Sequence, residues 1–148
     1  MTVTPHHDAL LKIMMVMSAA DGRQRDHELN VIADLARNLP VFRSVTADDL
    51  VEALHAADHL LSETDGIEGL VEETCAVLPQ PLRETAYALA VEVAASDLQA
   101  SEEELRLLEV LRDTMALDPL LTAAIEASAR VRYRRDPGAT GATGTTGV

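Results

Sequence analysis

Apolar residues recur at three- and four-residue steps along most of the chain, the spacing that gives a helix one buried face. Leu10, Ile13, Met17 and Ala20 form a first stripe. Leu29, Ile32, Leu35 and Leu39 form a second, which Pro40 stops because proline has no amide hydrogen to continue a helix. Thr46 stands before a third stretch as an N-cap, with Asp48 and Asp49 in the first turn, where the helix dipole favours acid. A fourth helix is expected from about Gly66 to Leu78. The run Pro79-Gln80-Pro81 breaks the chain there, and Pro81 suits the first turn of a fifth helix carrying Leu82, Ala86, Leu89 and Val93. A sixth carries Leu105, Leu108, Leu111 and Met115, and a seventh, starting near Asp118 and Pro119, carries Leu121, Ile125 and Ser128. No stretch alternates with a period of two. The pattern therefore predicts an all-α fold, a bundle of about seven helices.

Composition narrows the core. Hydrophobic residues make up 47% of the 148, yet only Phe42, Tyr87 and Tyr133 are aromatic, so Leu, Ala, Val, Ile and Met must fill the interior. That mixture favours packed helices over a sheet. The length suits one domain, expected over residues 1–135. From 136 to 148 the text turns to Gly, Ala and Thr in near-repeat ("GATGATGTTGV"), which buries too little apolar surface to offset its ordering entropy, so a disordered tail is expected.

Charge excludes a function class. Twenty-five Asp and Glu against 12 Lys and Arg give a formal charge of -13, a surface that repels phosphate backbones and argues against nucleic acid as a partner. One basic cluster runs against this trend: Arg130, Arg132, Arg134 and Arg135 crowd the end of the last helical stretch. Cations there complement the helix dipole, and contact with an acidic partner or an anionic membrane surface is the competing explanation. Cys75 is the single cysteine, which excludes an internal disulfide and a cysteine-based zinc site; in "VEETCAVL" it reads as a core thiol. "LLKIMMVMSAA" is 11 residues long and contains Lys12, too short for a membrane span of about 20 and without the basic start of a signal peptide. A cytoplasmic protein with no transmembrane segment is expected.

One feature is repeated. "MSAADGRQRDHELNVIADL" and, 76 residues later, "VAASDLQASEEELRLLEVL" each set an acidic turn between apolar stretches. The shift superposes Ile13 on Leu89, Met17 on Val93, Leu29 on Leu105, Ile32 on Leu108 and Leu35 on Leu111, and it brings Asp21 onto Asp97 and Glu28 onto Glu104. Two pseudo-repeated helix-turn-helix halves packed about a pseudo-twofold axis are expected from this register. Carboxylates at such corners suit a hard cation, calcium or magnesium rather than zinc or iron, with Asp21, Glu28, Asp97 and Glu104 as the candidate ligands. Capping competes with that assignment. Ser101-x-x-Glu104 fits a capping box, whereas Arg25 at the equivalent position cannot cap, and Gly22 gives the first turn a backbone freedom that Leu98 lacks. Neither turn has the alternating oxygen ligands of an EF-hand, so a single turn binds weakly.

"AADGRQRDHELNVI" resembles the first signature of the TerB-like family of tellurite-resistance proteins, a helix ending in Ala-Asp-Gly followed by a Glu that opens the next helix. "AASDLQASEEELRLLEVL" resembles its second copy, with Leu98 in place of the usual glycine. The likeness spans about residues 8 to 117. It implies a helical bundle of two similar halves with acidic residues on one side, a metal-binding or metal-responsive stress module, protein partners near the inner membrane and no catalysis.

Other groups carry less. Glu52, His55 and His59 share one helical face beside Asp58, a spacing used by iron and zinc sites, but no second Glu-x-x-His is present and Ala56 follows His55 where a zinc protease needs Glu. A solvated polar face is expected, with a Glu/His metalloenzyme as the outlying alternative. His27 adjoins Glu28 as an extra ligand at most, Met14, Met15 and Met17 read as core packing, and His6 and His7 fall near a terminus expected to fray. No Ser/His/Asp arrangement, phosphate loop or dinucleotide fingerprint is present. The expected function is a non-catalytic divalent-cation module, with a metal-free adaptor for protein contacts as the alternative. Its oligomeric state is not encoded in any of these patterns.

Overall fold

The computed structural model describes residues 3–20, 26–63, 67–96 and 100–138. Among these, every regular element is helical: α1 (Pro5–Ser18), α2 (Asp26–Asn38), a 3-10 turn (Pro40–Phe42), α3 (Ala47–Glu63), α4 (Ile67–Val77), α5 (Gln80–Ala95), α6 (Glu102–Met115) and α7 (Pro119–Arg132). The fold is an all-α bundle. No helix among the described residues is long and apolar enough to cross a membrane. Residues 139–148, most of the expected tail, lie outside the described residues.

Two helices form the centre. In α1, Ala9, Leu10, Leu11 and every residue from Ile13 to Ser18 are buried, and in α5 so are Ala86, Tyr87, Leu89, Ala90, Val91, Val93 and Ala94. The three-four stripe expected of α1 understates it, because a helix enclosed by neighbours is apolar nearly all round. α1 and α5 pack on one another; α2, α3 and α4 pack on α1, while α6 and α7 pack on α5. Displaced by 76 residues, α1 falls within α5 and α2 within α6, and α7 starts four residues before the displaced α3 would. The pseudo-repeat is thus visible in helix boundaries and in packing: each central helix carries its own α-hairpin partner and a third helix beside it.

Local chemistry fixes the ends. Asp49 N donates to Thr46 Oγ1 at 3.1 Å, as the sequence predicts, and Leu120 N donates to Asp118 Oδ1 at 2.9 Å to start α7. Arg83 Nε donates to the Cys75 and Leu78 carbonyls, at 3.0 and 2.9 Å, covering acceptors that the end of α4 leaves open. α6 closes on Ala116, with φ 50 and ψ 48; Leu117 N donates to Arg112 O and Ala116 N to Asp113 O, the Schellman pattern with alanine where glycine is usual.

The start of the chain departs from expectation. His7 is buried rather than frayed: its amide donates to Thr4 Oγ1 at 3.3 Å, and Thr4 N donates to His7 Nδ1 at 3.1 Å. With Nδ1 accepting, Nε2 carries the hydrogen and donates to the Val41 carbonyl at 2.7 Å. The ring also lies 5.6 Å from that of Phe42, centroid to centroid. An N-terminal cap thus doubles as a clasp on the turn after α2. Cys75 is a core thiol, as expected; burial pushes its pKa up, and the nearby Arg83 charge opposes this.

Candidate functional site

The four candidate metal ligands meet different fates. Asp21 and Asp97 lie outside the described residues, and Glu28 is placed only as a backbone position in the first turn of α2. Glu104 is 2% exposed. Its Oε1 accepts from Ser101 N at 2.9 Å, while Ser101 Oγ accepts from Glu104 N at 3.1 Å, so the capping box is present. Glu52, His55 and His59 stand on the exposed face of α3, as expected; His59 Nε2 lies 3.4 Å from Glu63 Oε1. Glu52 instead lines a cleft of about 490 Å³ with Asp8 and Asp49, where Asp8 pairs with Lys12 at 2.8 Å. Among the described residues no group of three His, Cys, Asp or Glu is placed to hold a metal ion.

A groove between α5, α6 and α7 offers more definite chemistry. It encloses about 620 Å³, floored by Val91, Ala94, Ala95, Leu108 and Ala129 and edged by Leu105. Of the expected stripe of α6, Leu108, Leu111 and Met115 are buried together with Glu104 and Leu107, whereas Leu105 is 54% exposed. At the start of α6 Glu104 turns inward to cap Ser101, and the neighbouring Leu105 faces outward. Ala95 and Ala100, on either side of residues 97–99, also line the groove.

Four arginines surround this floor: Arg112, Arg130, Arg134 and Arg135, with Tyr133 beside them. Arg112 is engaged. Its Nη1 donates to the Tyr87 hydroxyl oxygen at 2.9 Å and to Glu126 Oε2 at 3.1 Å, and the Tyr87 hydroxyl donates to the same Oε2 at 2.5 Å. Burial, and next the bond to Glu126, push the Tyr87 pKa up to about 12, with Arg112 partly opposing. Tyr87 is therefore a neutral donor at physiological pH, and the trio braces three helices. Arg132 turns the other way, pairing with Glu92 and donating to Ser128 Oγ, and the Tyr133 hydroxyl donates to Glu92 Oε2 at 2.7 Å.

Among the described residues, no carboxylate pairs with Arg130, Arg134 or Arg135, although the chain holds about twice as many acids as bases. Guanidiniums beside an apolar floor suit an anionic, partly apolar ligand, because a planar fork binds carboxylate or phosphate bidentately and is weakly hydrated. The sequence shows the arginine cluster and offers two explanations for it, helix-dipole complementarity and contact with an acidic partner or an anionic membrane surface. What was missing was its apolar counterpart, concealed when Leu105 was assigned to the core. Comparison of the chain with protein-family models, curated proteins and solved structures finds no match.

Proposed function

We propose that the chain is a non-catalytic binding module that presents the α5–α7 groove to a partner, the adaptor role that the sequence left as its alternative. The observation that carries this is the set of arginines without described ion-pair partners, Arg130, Arg134 and Arg135, beside an exposed Leu105 in a chain of formal charge -13. Like charges held together repel, and a ligand carrying the opposite charge relieves that repulsion. Tyr87, buried and bonded to the lining residues Arg112 and Glu126, is kept protonated, which suits bracing rather than base catalysis. The test is fluorescence of anilinonaphthalene sulfonate, an anionic aromatic probe, with the native protein. Saturable enhancement that Leu105→Glu or Arg130→Glu removes, with helicity unchanged by circular dichroism, supports the reading; no enhancement contradicts it.

A second reading, the TerB-like cation-binding role, draws on the 76-residue displacement that brings α1–α2 onto α5–α6 and Asp21 and Glu28 onto Asp97 and Glu104 in the sequence, with Glu104 itself already engaged in its cap. Calcium, magnesium, manganese and zinc titrations followed by melting temperature test it, since an ion that prefers the folded state raises Tm. A rise lost in Asp21→Ala or Glu28→Ala supports cation binding, and no rise with any ion rejects it.

A further inference from the structure

We propose that the occupant of the groove is an acidic amphipathic helix of a partner protein, its apolar stripe on Ala94, Ala95 and Leu108 and its carboxylates on Arg130, Arg134 and Arg135. The inference rests on the reading of the groove as a binding surface and adds the chemistry of what binds there.

Shape comes first. The groove is walled by three helices, and its floor is mostly alanine and valine, low side chains that leave room for an incoming row of larger ones. A volume of about 620 Å³ takes several aliphatic side chains. An amphipathic helix supplies such a row at i, i+3, i+4 and i+7. The exposed edge at Leu105 gives the row a first apolar contact on the way in.

Charge then selects the helix. Three guanidiniums without described partners line the groove at and just beyond the end of α7, so carboxylates flanking the apolar row find bidentate donors there. A basic helix would bring like charge to the same end. The charge of the whole molecule also separates a peptide from an anionic membrane. A segment lying in the groove sits within a screening length of about 8 Å of the arginines at physiological salt, so the local field dominates. A bilayer surface spans a whole side of the molecule and meets its excess of carboxylates, reflected in the formal charge of -13.

The probe is a fluorescein-labelled peptide of about 18 residues, long enough to hold a helix, with Leu at i, i+3, i+4 and i+7 and Glu on the flanks. Two comparators share its length: one carries Lys for Glu, and one holds the same residues in an order that scatters the leucines. Anisotropy with the full chain is expected to show saturable binding of the acidic peptide alone, weakened by salt. Arg134→Glu combined with Arg135→Glu should lower its affinity about tenfold or more, and Leu105→Glu should also weaken it. Val51→Glu, at an exposed apolar position on α3, should leave it unchanged. Arg134 and Arg135 follow the last turn of α7, and Arg130→Gln supplies a second variant should that pair disturb folding.

Equal binding of the acidic and Lys peptides, or of the scattered one, overturns the proposal, as does affinity unchanged in the arginine variants. Co-sedimentation with phosphatidylglycerol vesicles in place of peptide binding reassigns the groove to a membrane. Self-association in the ultracentrifuge that the arginine variants abolish reassigns it to a second copy of the chain. Peptide failure with retained anilinonaphthalene sulfonate binding removes the acidic helix and leaves the groove a binding surface; failure of both removes both.

Discussion

The Tyr87 hydroxyl on α5 donates to Glu126 Oε2 on α7 across 2.5 Å, and Arg112 of α6 donates to both oxygens, so one buried phenol ties together the three helices that wall the groove. Removing the hydroxyl leaves the Arg112–Glu126 pair half-exposed and able to take water. Tyr87→Phe should therefore cost about 1.5–3 kcal/mol in urea unfolding, the range for a hydrogen bond to a charged group. The same phenol sets an alkaline limit. Its folded pKa of about 12 exceeds the ordinary 10, so its contribution is full below pH 10 and is lost as pH rises through 12, where the folded state also ionises. Stability should fall by about 2–3 kcal/mol across that window, and in Tyr87→Phe this part of the fall should vanish.

Ser101 and Glu104 hold the first turn of α6 by reciprocal bonds. Ser101→Ala should cost about 1 kcal/mol. Glu104→Gln keeps an oxygen acceptor at a buried position and should cost less than Glu104→Ala; equal midpoints for the two in urea would mean that the cap contributes nothing.

His7 joins the cap of α1 to the Val41 carbonyl while it is itself buried. His7→Ala opens a void and strands that carbonyl. A loss of about 2–4 kcal/mol is expected, with proteolysis newly directed to the 3-10 turn. A loss below about 0.5 kcal/mol, the range for an ordinary surface position, would contradict the clasp.

Ala116 is the positive-φ residue, glycine aside, among the described ones, and it closes α6 in the left-handed region. Ala116→Gly relieves the contact of Cβ with the backbone and should raise stability by about 0.5–1 kcal/mol, net of the added freedom of the unfolded chain. A lower melting temperature would refute it.

Local signals reported well on helix limits. Thr46, Pro40, Pro81 and Asp118 each act at the end that its chemistry indicates, and the expected fourth helix from Gly66 to Leu78 is observed as Ile67–Val77. Orientation was less legible. Stripes at three and four residues suggest amphipathic helices everywhere, whereas α1 and α5 are central, which depends on what surrounds them. A single inward carboxylate at Glu104 goes with an outward Leu105, and capping geometry rather than hydropathy decides that exchange. The groove was illegible for the same reason: its floor joins residues of α5, α6 and α7 that no spacing along the chain connects. His7 was missed because nearness to a terminus says nothing of a partner 34 residues away.

The groove is the centre of the account, and amide chemical-shift mapping of the isotope-labelled chain titrated with the acidic amphipathic peptide tests it most directly. The account predicts shifts concentrated on Ala94, Ala95, Leu105, Leu108, Ala129, Arg130, Arg134 and Arg135. Shifts centred on α3 and α4, or none at saturating peptide, would contradict it.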